Sequence, residues 1–470
     1  MATAPGMNFW IPLPIGRRGD ILREPLRFFV AAREQHGDVF RIRLGPLVVH
    51  FLFHPDHVRR VLHERPKNFV RGWQYRLLRR LMGDNLVVSD GEPWLRQRRL
   101  AQPAFGRERL ATYAEVMVRS ASDMLARWNE GGPQQTADIG AQMRRLTLDI
   151  AGRTLFSRDV SGASDAVGQS FSIVADYLKG RFDRPFVSPP IWAPTPANRR
   201  FKTVLRQLNE IVLGIVQERR RDGRDDGRDR GDLLSMLMAA RDDETSTKLD
   251  DRQLVSTVLA FLLAGHETTA TALTWTWFLL GSHPALRERV RAEAEAVLGD
   301  RPPTFADAAR LELTRRVIEE SMRLYPPIWV VPRQVVAEDE IGGFRIPARS
   351  MVALCPFVTH RHPAIWPQPD VFDPDRFTPE RSAERSKYAH FPFIAGPHQC
   401  IGAEFAMLEM RLIVAMVLRK FDLELAPNQT IEPRASIAVI PSAPVRVVLK
   451  RLDGMRSPRI GAAALDLATS

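Results

Sequence analysis

Apolar residues recur every three or four positions over several long stretches of the chain. This spacing predicts helices over 22–35, 55–64, 286–298, 316–324 and 405–420, and further helices, with breaks, from Trp94 to Arg221. The longest apolar stretch runs from Leu254 to Gly281. Because Glu267 lies at its middle and a charge at a bilayer centre is costly, the stretch predicts a long core helix and not a membrane span.

Short apolar runs between turn residues predict a small amount of β-structure. We expect two strands over 39–53 around Gly45-Pro46, and strands over 330–336, 344–346 and 351–354. We also expect a terminal hairpin over 435–448 that turns between Pro441 and Pro444. Residues 65–92 predict a long loop with a broken helix, and 361–389 predict an irregular meander. The predicted fold class is mainly α with a minor β-sheet.

These elements predict one domain over 1–450 followed by a tail over 451–470. Its small β-rich part covers about 37–65, 330–355 and 435–449, and its helical part covers the rest. Residues 1–20 predict a surface arm. The polar stretch of mixed charge from Arg221 to Asp232 predicts a mobile connector, because it cannot bury apolar surface.

The composition limits the possible partners and compartment. Two cysteines in 470 residues exclude a disulfide framework and indicate a reducing compartment, so we expect a cytoplasmic protein. The net charge of +12 is typical of proteins that meet nucleic acid, an anionic membrane or an acidic protein partner. Because no basic tail or aromatic-interleaved basic motif is present, we expect no nucleic-acid partner.

One of the two cysteines lies in the segment Phe393-Ile-Ala-Gly396-Pro-His-Gln-Cys400-Ile-Gly402, just before an apolar helical pattern. Glycines on both sides let the backbone turn tightly and approach a large flat group. A thiolate at a helix N-terminus is stabilised by the helix dipole and by free N–H groups, which suits a cysteine that binds iron. A buried cysteine in a turn is the alternative for an isolated Cys-x-Gly. The whole segment resembles the haem loop of the cytochrome P450 family.

Further motifs follow in the order of that family, over nearly the whole chain. Trp94 and Arg98 are spaced for one helical face and resemble the pair that holds a haem propionate, although a surface amphipathic helix would show the same spacing. Glu320 and Arg323 share a helical face and, with Arg376 of the meander, resemble the structural clamp behind the haem. The resemblance implies a prism-shaped helical fold around a buried haem b whose axial thiolate comes from Cys400. The further cofactor contacts that it implies are Arg333, His398, Phe393, Gly402 and Ala264.

The sequence departs from the family at His398, where an arginine that binds a propionate is common. A neutral imidazole donates one hydrogen bond, whereas a charged one adds an ion pair. We expect haem binding to survive this change, because Trp94, Arg98 and Arg333 remain candidates for the propionates. The second cysteine, Cys355, lies in an apolar strand and is expected to be an inert core residue.

The segment Ala264-Gly-His-Glu267-Thr268-Thr resembles the oxygen-binding kink of the family's long central helix. Oxygen activation needs protons, and an alcohol beside an acid can supply them. The resemblance assigns the alcohol to Thr268 and the acid to Glu267. The alternative is that Glu267 forms a buried ion pair. His266 receives no role.

The resemblance implies a haem-thiolate monooxygenase that hydroxylates or epoxidises a hydrophobic small molecule, using O2. Electrons are expected from a separate ferredoxin or flavodoxin with its reductase. This partner would dock on the basic residues from Arg96 to Arg99 together with the loop near His398; a generic solvated basic surface is the alternative. Two other classes remain open: a peroxide-using haem-thiolate peroxygenase or isomerase, and a haem-binding sensor that binds nucleic acid.

The same resemblance assigns the lining of the substrate pocket. Its apolar character predicts a terpenoid, a steroid or a fatty acid. Some fatty-acid hydroxylases of the family hold a carboxylate in the first hairpin, where this chain offers only His50, which slightly favours a terpenoid or steroid. The expected pocket residues are Leu86, Val87, Ala264, Ile328, Trp329 and Ile437.

Overall fold

A computed structural model describes residues 2–9, 21, 23–156, 170, 173–174, 176–178, 180–181, 188–221, 232–241 and 248–452. Helices dominate the described part of the chain, as the apolar spacing predicts. The α-helices of the described residues are α1 (Pro25–His36), α2 (Pro55–Arg59, continued as a π-helical turn over Arg60–Glu64), α3 (Trp73–Met82), α4 (Gly91–Ala101), α5 (Arg107–Glu130), α6 (Ile139–Phe156), α7 (Pro196–Arg221), α8 (Leu233–Ala239), α9 (Asp251–Ser282), α10 (Pro284–Leu298), α11 (Phe305–Ala308), α12 (Glu312–Leu324), α13 (Pro356–Thr359), α14 (Pro379–Ala383) and α15 (Ala403–Lys420).

The main sheet collects six strands from distant parts of the chain. Its order is β1 (Gly6–Phe9), β2 (Val39–Leu44), β3 (Leu47–Leu52), β9 (Met351–Leu354), β6 (Val331–Val335) and β4 (Phe69–Val70). The predicted hairpin around Gly45 is confirmed, since β2 and β3 pair antiparallel. Strand β9 pairs parallel with β3 and antiparallel with β6, and so joins the N-terminal and C-terminal halves.

The predicted terminal hairpin over 435–448 is wrong. Strands β11 (Pro433–Ala435) and β12 (Val439–Pro441) form a hairpin that turns before Pro441. Strand β13 (Arg446–Arg451) lies in another sheet, between β10 (Phe421–Leu425) and β5 (Gln134–Asp138). The prolines between 441 and 444 are therefore not the turn of a hairpin; they end the β11–β12 pair and separate it from β13. A short pair, β7 (Asp339–Ile341) with β8 (Phe344–Ile346), completes the described strands.

The long helix α9 is the central element. Its 32 residues span about 48 Å at 1.5 Å per residue. Asp250 caps its N-terminus, and Gln253 returns the hydrogen bond to complete a capping box. Four threonine hydroxyls of the helix, those of Thr268, Thr269, Thr274 and Thr276, donate to the carbonyl four residues earlier, for example Thr274 to Ala270 at 2.7 Å, so these polar groups are satisfied locally.

Helix α15 packs beside α5 and α9 in the largest apolar cluster. Tyr113 of α5 lies 5.7 Å from Phe405 at one end of the contact, and Trp128 lies 5.5 Å from Phe421 at the other, measured between ring centroids. These two contacts show that α5 and α15 run parallel. Among the described residues, no helix has the length and apolar character needed to cross a membrane.

Several boundaries differ from the sequence predictions. Helix α4 begins at Gly91, three residues before Trp94, because Asp90 caps it. The predicted loop with a broken helix over 65–92 contains one continuous ten-residue helix, α3. Strand β5 breaks the expected run of helices. Most of the predicted connector, the tail beyond 452 and most of the N-terminal arm lie outside the described residues, and the single-domain assignment stays a prediction.

Candidate functional site

The segment from Phe393 to Gly402, called the cysteine loop below, closes on itself before α15. The backbone N–H of Cys400 donates to the carbonyl oxygen of Phe393 at 2.9 Å. Helix α15 begins at Ala403, so Cys400 lies just before the helix N-terminus, as predicted. The other cysteine, Cys355, is 1 % exposed and its pKa is raised by burial, which agrees with the predicted inert core residue.

The cysteine loop contains backbone strain. Ile394 has a φ of 61°, which β-branched residues rarely adopt. Gly396 has a φ of 70°, and a Cβ atom there would lie 1.9 Å from the carbonyl oxygen of Leu62. Glycine is therefore required at 396 by the close approach of the Leu62 backbone. Gly402 leaves ordinary space, since its Cβ would meet Phe105 at 3.7 Å.

The side chain of Cys400 is accessible to solvent, although protein atoms surround much of its thiol. Desolvation raises the pKa of its thiol, while a hydrogen bond from the Gly402 backbone and the Arg98 guanidinium oppose the rise. Arg98 also donates to the carbonyl oxygen of Gln399 at 2.5 Å, next to the cysteine. A metal at the sulfur would complete the stabilisation of the thiolate, because coordination removes the thiol proton.

Helix α4 and the cysteine loop meet through aromatic contacts. The Trp94 indole lies 4.2 Å from the His398 imidazole, and the Arg98 guanidinium lies 5.9 Å from the Trp94 ring. Trp94 is 9 % exposed. The structure thus brings together Trp94, Arg98, His398 and Cys400, which the sequence singled out separately. The alternative of a surface amphipathic helix does not fit Trp94, which is buried against the loop.

Two residues that the sequence analysis missed complete this group. The imidazole Nε2 of His398 lies 3.2 Å from Oδ1 of Asp90, and the Arg71 backbone N–H donates to Oδ2 of Asp90 at 2.7 Å. Burial disfavours the Asp90 carboxylate, but these two hydrogen bonds outweigh it and hold the pKa of Asp90 below its usual range. The signal available in the sequence was Asp90 immediately before the helix start, a favoured N-cap position.

Positive charge collects around His398 without matching negative charge. Arg333 is 2 % exposed, and its guanidinium donates to the carbonyl oxygen of the neighbouring Pro332 at 2.9 Å. The Arg71 guanidinium donates to the carbonyls of Leu86 and Ser89, and burial lowers its pKa to about 10, with a contribution from Arg333.

His398 responds to the same environment. Burial lowers the pKa of its imidazole, Arg71 and Arg333 lower it further, and Asp90 raises it. Within the described chain, the Nδ1 atom of His398 is buried and has no hydrogen-bond partner. Two guanidiniums with one carboxylate, and an imidazole nitrogen left free, form a site for a further anion.

The three residues predicted to form the clamp contact one another. Arg323 donates to both carboxylate oxygens of Glu320, at 2.6 and 2.8 Å, and both side chains are fully buried. Arg376 places its Nε atom 3.4 Å from the same carboxylate, and its two terminal nitrogens donate to the carbonyls of Pro367 and Gln368. Arg323 also donates to the His360 carbonyl at 2.9 Å, and the His360 ring accepts from the backbone N–H of Phe391 at 3.0 Å. The clamp therefore reaches the residues that precede the cysteine loop.

On the long helix, the predicted catalytic pair lies beside an accessible surface. Ala264 is exposed, whereas most of α9 is buried. The Thr268 hydroxyl donates to the Ala264 carbonyl at 2.7 Å. Glu267 is 39 % exposed, and its ion-pair contact within the described chain is to His266 at 3.7 Å, so it does not form the alternative buried ion pair. His266 is buried and its Nδ1 contacts the Leu262 carbonyl, away from this surface.

The predicted pocket residues differ in exposure. Val87 and Ile437 are large apolar side chains that are 41 % and 40 % exposed, whereas Leu86 is 7 % exposed. The loop that carries Leu86 and Val87 is held to α9, because the Ser256 hydroxyl donates to the Asp84 carbonyl at 2.8 Å. The Trp329 indole donates to the Ser436 carbonyl at 2.9 Å, next to Ile437. Ile328 packs in the same apolar cluster as Ile394 of the cysteine loop.

Comparison with known proteins decides the family. The model of the family described as Cytochrome P450 matches residues 5–449. The chain belongs to the cytochrome P450 family. The predicted family is therefore confirmed, and so is the enzyme class, because relatives of this P450 are named as monooxygenases.

Bacterial relatives match over most of their length. Cyclooctat-9-en-7-ol 5-monooxygenase of Streptomyces melanosporofaciens is 39 % identical over 431 residues, which cover 91 % of each chain. Cyclooctatin synthase of the same organism is 38 % identical over 428 residues, again 91 % of each chain. Pentalenene oxygenase of Streptomyces avermitilis is 34 % identical over 439 residues, covering 93 % of this chain and 94 % of that protein.

Solved structures confirm the predicted P450 fold. The haem domain of cytochrome P450DA superposes with a TM-score of 0.86 at 27 % identity, covering 96 % of this chain and 98 % of that one. The retinoic acid-bound cyanobacterial CYP120A1 gives a TM-score of 0.83 at 29 % identity, covering 96 % and 100 %. Membership in the family implies a haem held by a cysteine thiolate, O2 as oxidant and a redox partner.

Proposed function

We propose that this P450 hydroxylates or epoxidises a terpenoid at a haem b whose axial ligand is Cys400. The observation that carries the proposal is the cysteine loop. Its cysteine lies just before a helix N-terminus, the Gly402 backbone N–H is bonded to the sulfur, and the positive charge of Arg98 lies nearby. The chain has one other cysteine, Cys355, which is buried in the core.

The charged group around His398 fits the propionates of haem. Arg333 is buried, Arg71 is partly buried, and Asp90 is the nearby carboxylate, so a propionate would supply the negative charge that these two guanidiniums still lack. A protonated His398 ring would donate from Nε2 to Asp90 and from Nδ1 to a propionate, whereas a neutral ring could make only one of these two hydrogen bonds. Trp94 and Arg98 line the same group from α4. Arg71 is thus added to the propionate ligands proposed from the sequence.

The haem, when bound, activates O2 and performs the oxidation. The residues of this chain position the substrate and move protons. Thr268 holds its hydroxyl on the accessible side of α9, one residue from the half-exposed Glu267. Glu267 can take protons from water and pass them on through the Thr268 hydroxyl, which releases its bond to the Ala264 carbonyl to do so. This pairing supports a monooxygenase over the peroxide-using alternative.

The apolar side chains of Val87, Ile328 and Ile437 support a hydrophobic substrate. The relatives named for cyclooctat-9-en-7-ol and pentalenene favour a terpenoid among the three classes predicted from the sequence. His50 supports the same choice. It is 2 % exposed and donates to the Met351 carbonyl, and burial lowers its pKa to about 4, so it offers no charge to a fatty-acid carboxylate.

The proposal is tested first by the spectrum of the reduced, carbon monoxide-bound protein. A thiolate-type spectrum is expected, and it should be absent in Cys400→Ser and present in Cys355→Ala. The opposite pattern would overturn the assignment of Cys400. A mass-spectrometric screen with a ferredoxin, its reductase and a set of terpene alcohols, steroids and fatty acids then tests the substrate. Turnover of fatty acids with no terpenoid product would reject the substrate class but leave the reaction class intact.

A further inference from the structure

A cluster of histidine and aspartate side chains lies where three separate segments meet. Asp38 follows α1, His54 is the N-cap of α2, and His362 follows α13. One possible ligand atom from each side chain lies within 4.8 Å of the others. None of these residues belongs to the cysteine loop, the charged group around His398 or the clamp. We propose that Asp38, His54 and His362 form a binding site for a divalent transition-metal ion, with zinc as the best fit.

The backbones of the three residues are fixed before any ion binds. The Asp38 carbonyl accepts from the N–H of Phe53, which places Asp38 beside His54. The His362 carbonyl accepts from the N–H groups of Ile365 and Trp366, both at 2.9 Å. A site whose ligands come from fixed backbones needs only side-chain rotation to close. Atoms bound to zinc at about 2.0–2.2 Å would lie closer to one another than the three ligand atoms do now. Zinc binding therefore requires only a small inward movement of the three side chains.

His362 carries the strongest evidence. It is 3 % exposed, and within the described residues its Nδ1 atom is buried without a hydrogen-bond partner. Its Nε2 atom lies 3.0 Å from Oδ1 of Asp38 and 3.2 Å from Nη2 of Arg33. The first contact requires a proton on Nε2 and the second requires a lone pair. One nitrogen cannot satisfy both, so the protein-only network is incompletely satisfied, and a cation shared by Nε2 and Oδ1 would resolve the conflict.

His54 has the surroundings of a metal ligand. Its Nδ1 atom accepts the backbone N–H of Asp56 at 3.2 Å as the cap of α2, and it lies 3.4 Å from a carboxylate oxygen of Asp56. Binding an ion through Nε2 would move the ring proton to Nδ1, which would then exchange the capping bond for a donation to the Asp56 carboxylate. Metal-binding histidines commonly donate their second ring N–H to a carboxylate, which fixes the tautomer and the orientation of the ring. His54 and Asp56 also line an open cleft of about 560 Å³, which gives a hydrated ion a path to the site and leaves room for a water ligand.

The ligand set selects the metal. Two imidazoles and one carboxylate, with water in a fourth position, suit four-coordinate zinc, whereas calcium and magnesium prefer oxygen ligands throughout. Arg33 is the competing group, because its guanidinium contacts both Asp38 and His362. Its side chain is 20 % exposed and can turn toward solvent when the ion enters. The bound ion would join the start of β2 and the start of α2 to the segment after α13, which precedes the meander.

The test uses the tag-free haem-loaded protein after treatment with a chelator. Zinc is titrated against a competing chromogenic indicator, and bound zinc is counted per haem after gel filtration. One zinc per haem is expected. His54→Gln and Asp38→Asn should each weaken binding by more than about 100-fold, since losing even an outer-shell partner typically costs 10–100-fold. His63→Gln, an exposed histidine on the same helical segment, is the matched control and should bind as the parent does.

Arg33→Gln supplies a test in the opposite direction. Removing the competing cation should tighten zinc binding, whereas a purely protein-based Asp38–His362–Arg33 network would gain no zinc affinity. Haem content and circular dichroism establish that each variant is folded. The proposal is overturned if the parent protein binds no stoichiometric zinc, or if His54→Gln and Asp38→Asn leave its affinity unchanged.

Discussion

The imidazole Nε2 of His398 lies 3.2 Å from the Oδ1 atom of Asp90. This contact joins the cysteine loop to the N-cap of α4, since Asp90 also accepts the N–H of Gly91. The residue that departs from the family pattern is thus held by a carboxylate that the sequence did not single out. Arg71, bound to the same carboxylate through its backbone, becomes a candidate for the missing arginine.

Arg71→Met should weaken haem binding while the protein still folds, because the change replaces a partly buried cation with an apolar side chain of similar length. Transfer of haem to apomyoglobin should become about tenfold faster or more, since a hydrogen bond to a charged group contributes about 1.5–3 kcal/mol. Arg76→Met, on the exposed face of α3, is the matched control. An unchanged transfer rate in Arg71→Met would remove Arg71 from the proposed propionate site.

Glu320→Ala should strongly destabilise the protein. The change leaves the buried charges of Arg323 and Arg376 unpaired, which costs about 3–5 kcal/mol. Haem-free or insoluble protein is expected, measured by the haem-to-protein absorbance ratio and by urea unfolding. Glu312→Ala removes an exposed carboxylate from the same helix and should change stability by no more than about 0.5 kcal/mol. Stable, fully haem-loaded Glu320→Ala protein would contradict the clamp.

Thr268→Ala should uncouple electron use from product formation. Haem and substrate binding should persist, because the methyl group fits the same space, but proton delivery would lose a positioned group that contributes about 10²–10⁴-fold. Product formed per reduced cofactor consumed should fall, with peroxide made instead. Glu267→Gln should act in the same direction.

Thr269→Val is the control for Thr268→Ala. Thr269 is buried and donates to the Gly265 carbonyl, so the change affects helix α9 without touching the proposed proton route. The amount of product formed per reduced cofactor consumed should stay near the parental value in this variant. If Thr268→Ala and Glu267→Gln both kept the parental ratio, protons would arrive by another route.

His50 should make the protein acid-sensitive. Burial lowers its pKa in the folded state to about 4, whereas the unfolded chain titrates near 6.5. The unfolded state therefore binds more protons below pH 6.5, and stability that is fully present above that pH is lost as the pH falls toward 4. The shift corresponds to up to about 3 kcal/mol. His50→Gln should flatten the pH dependence of urea unfolding between pH 6.5 and 4, and an unchanged slope would contradict this assignment.

Electron transfer from an acidic ferredoxin should slow as salt rises, because charge pairs at exposed sites are screened over about 10 Å at 0.1 M salt. The proposed basic face comprises Arg96, Arg98 and Arg99 of α4 with the loop near His398, and Arg98 contacts that loop through the Gln399 carbonyl. Reduction by dithionite under the same salt series is the control. Salt-independent reduction by ferredoxin, or full turnover with peroxide alone, would favour the peroxide-using alternative.

The sequence by itself determined the features that depend on local spacing. Cys400 before a helix, Glu320 and Arg323 one turn apart, and Glu267 beside Thr268 within an apolar helix are all set by the geometry of a few consecutive residues. The helices and the first hairpin could be predicted for the same reason, because periodicity reports which face of a segment is buried.

Only the tertiary structure decided which distant residues meet. The contacts of Asp90 with His398, of Arg376 with Glu320, and of Asp38 with His362 each close a long loop of chain. Residue type and spacing carry no information about such closures, which depend on how whole elements pack. The misplaced terminal hairpin has the same origin: strand β13 pairs with β5 and β10, and a strand's own sequence does not specify its partner.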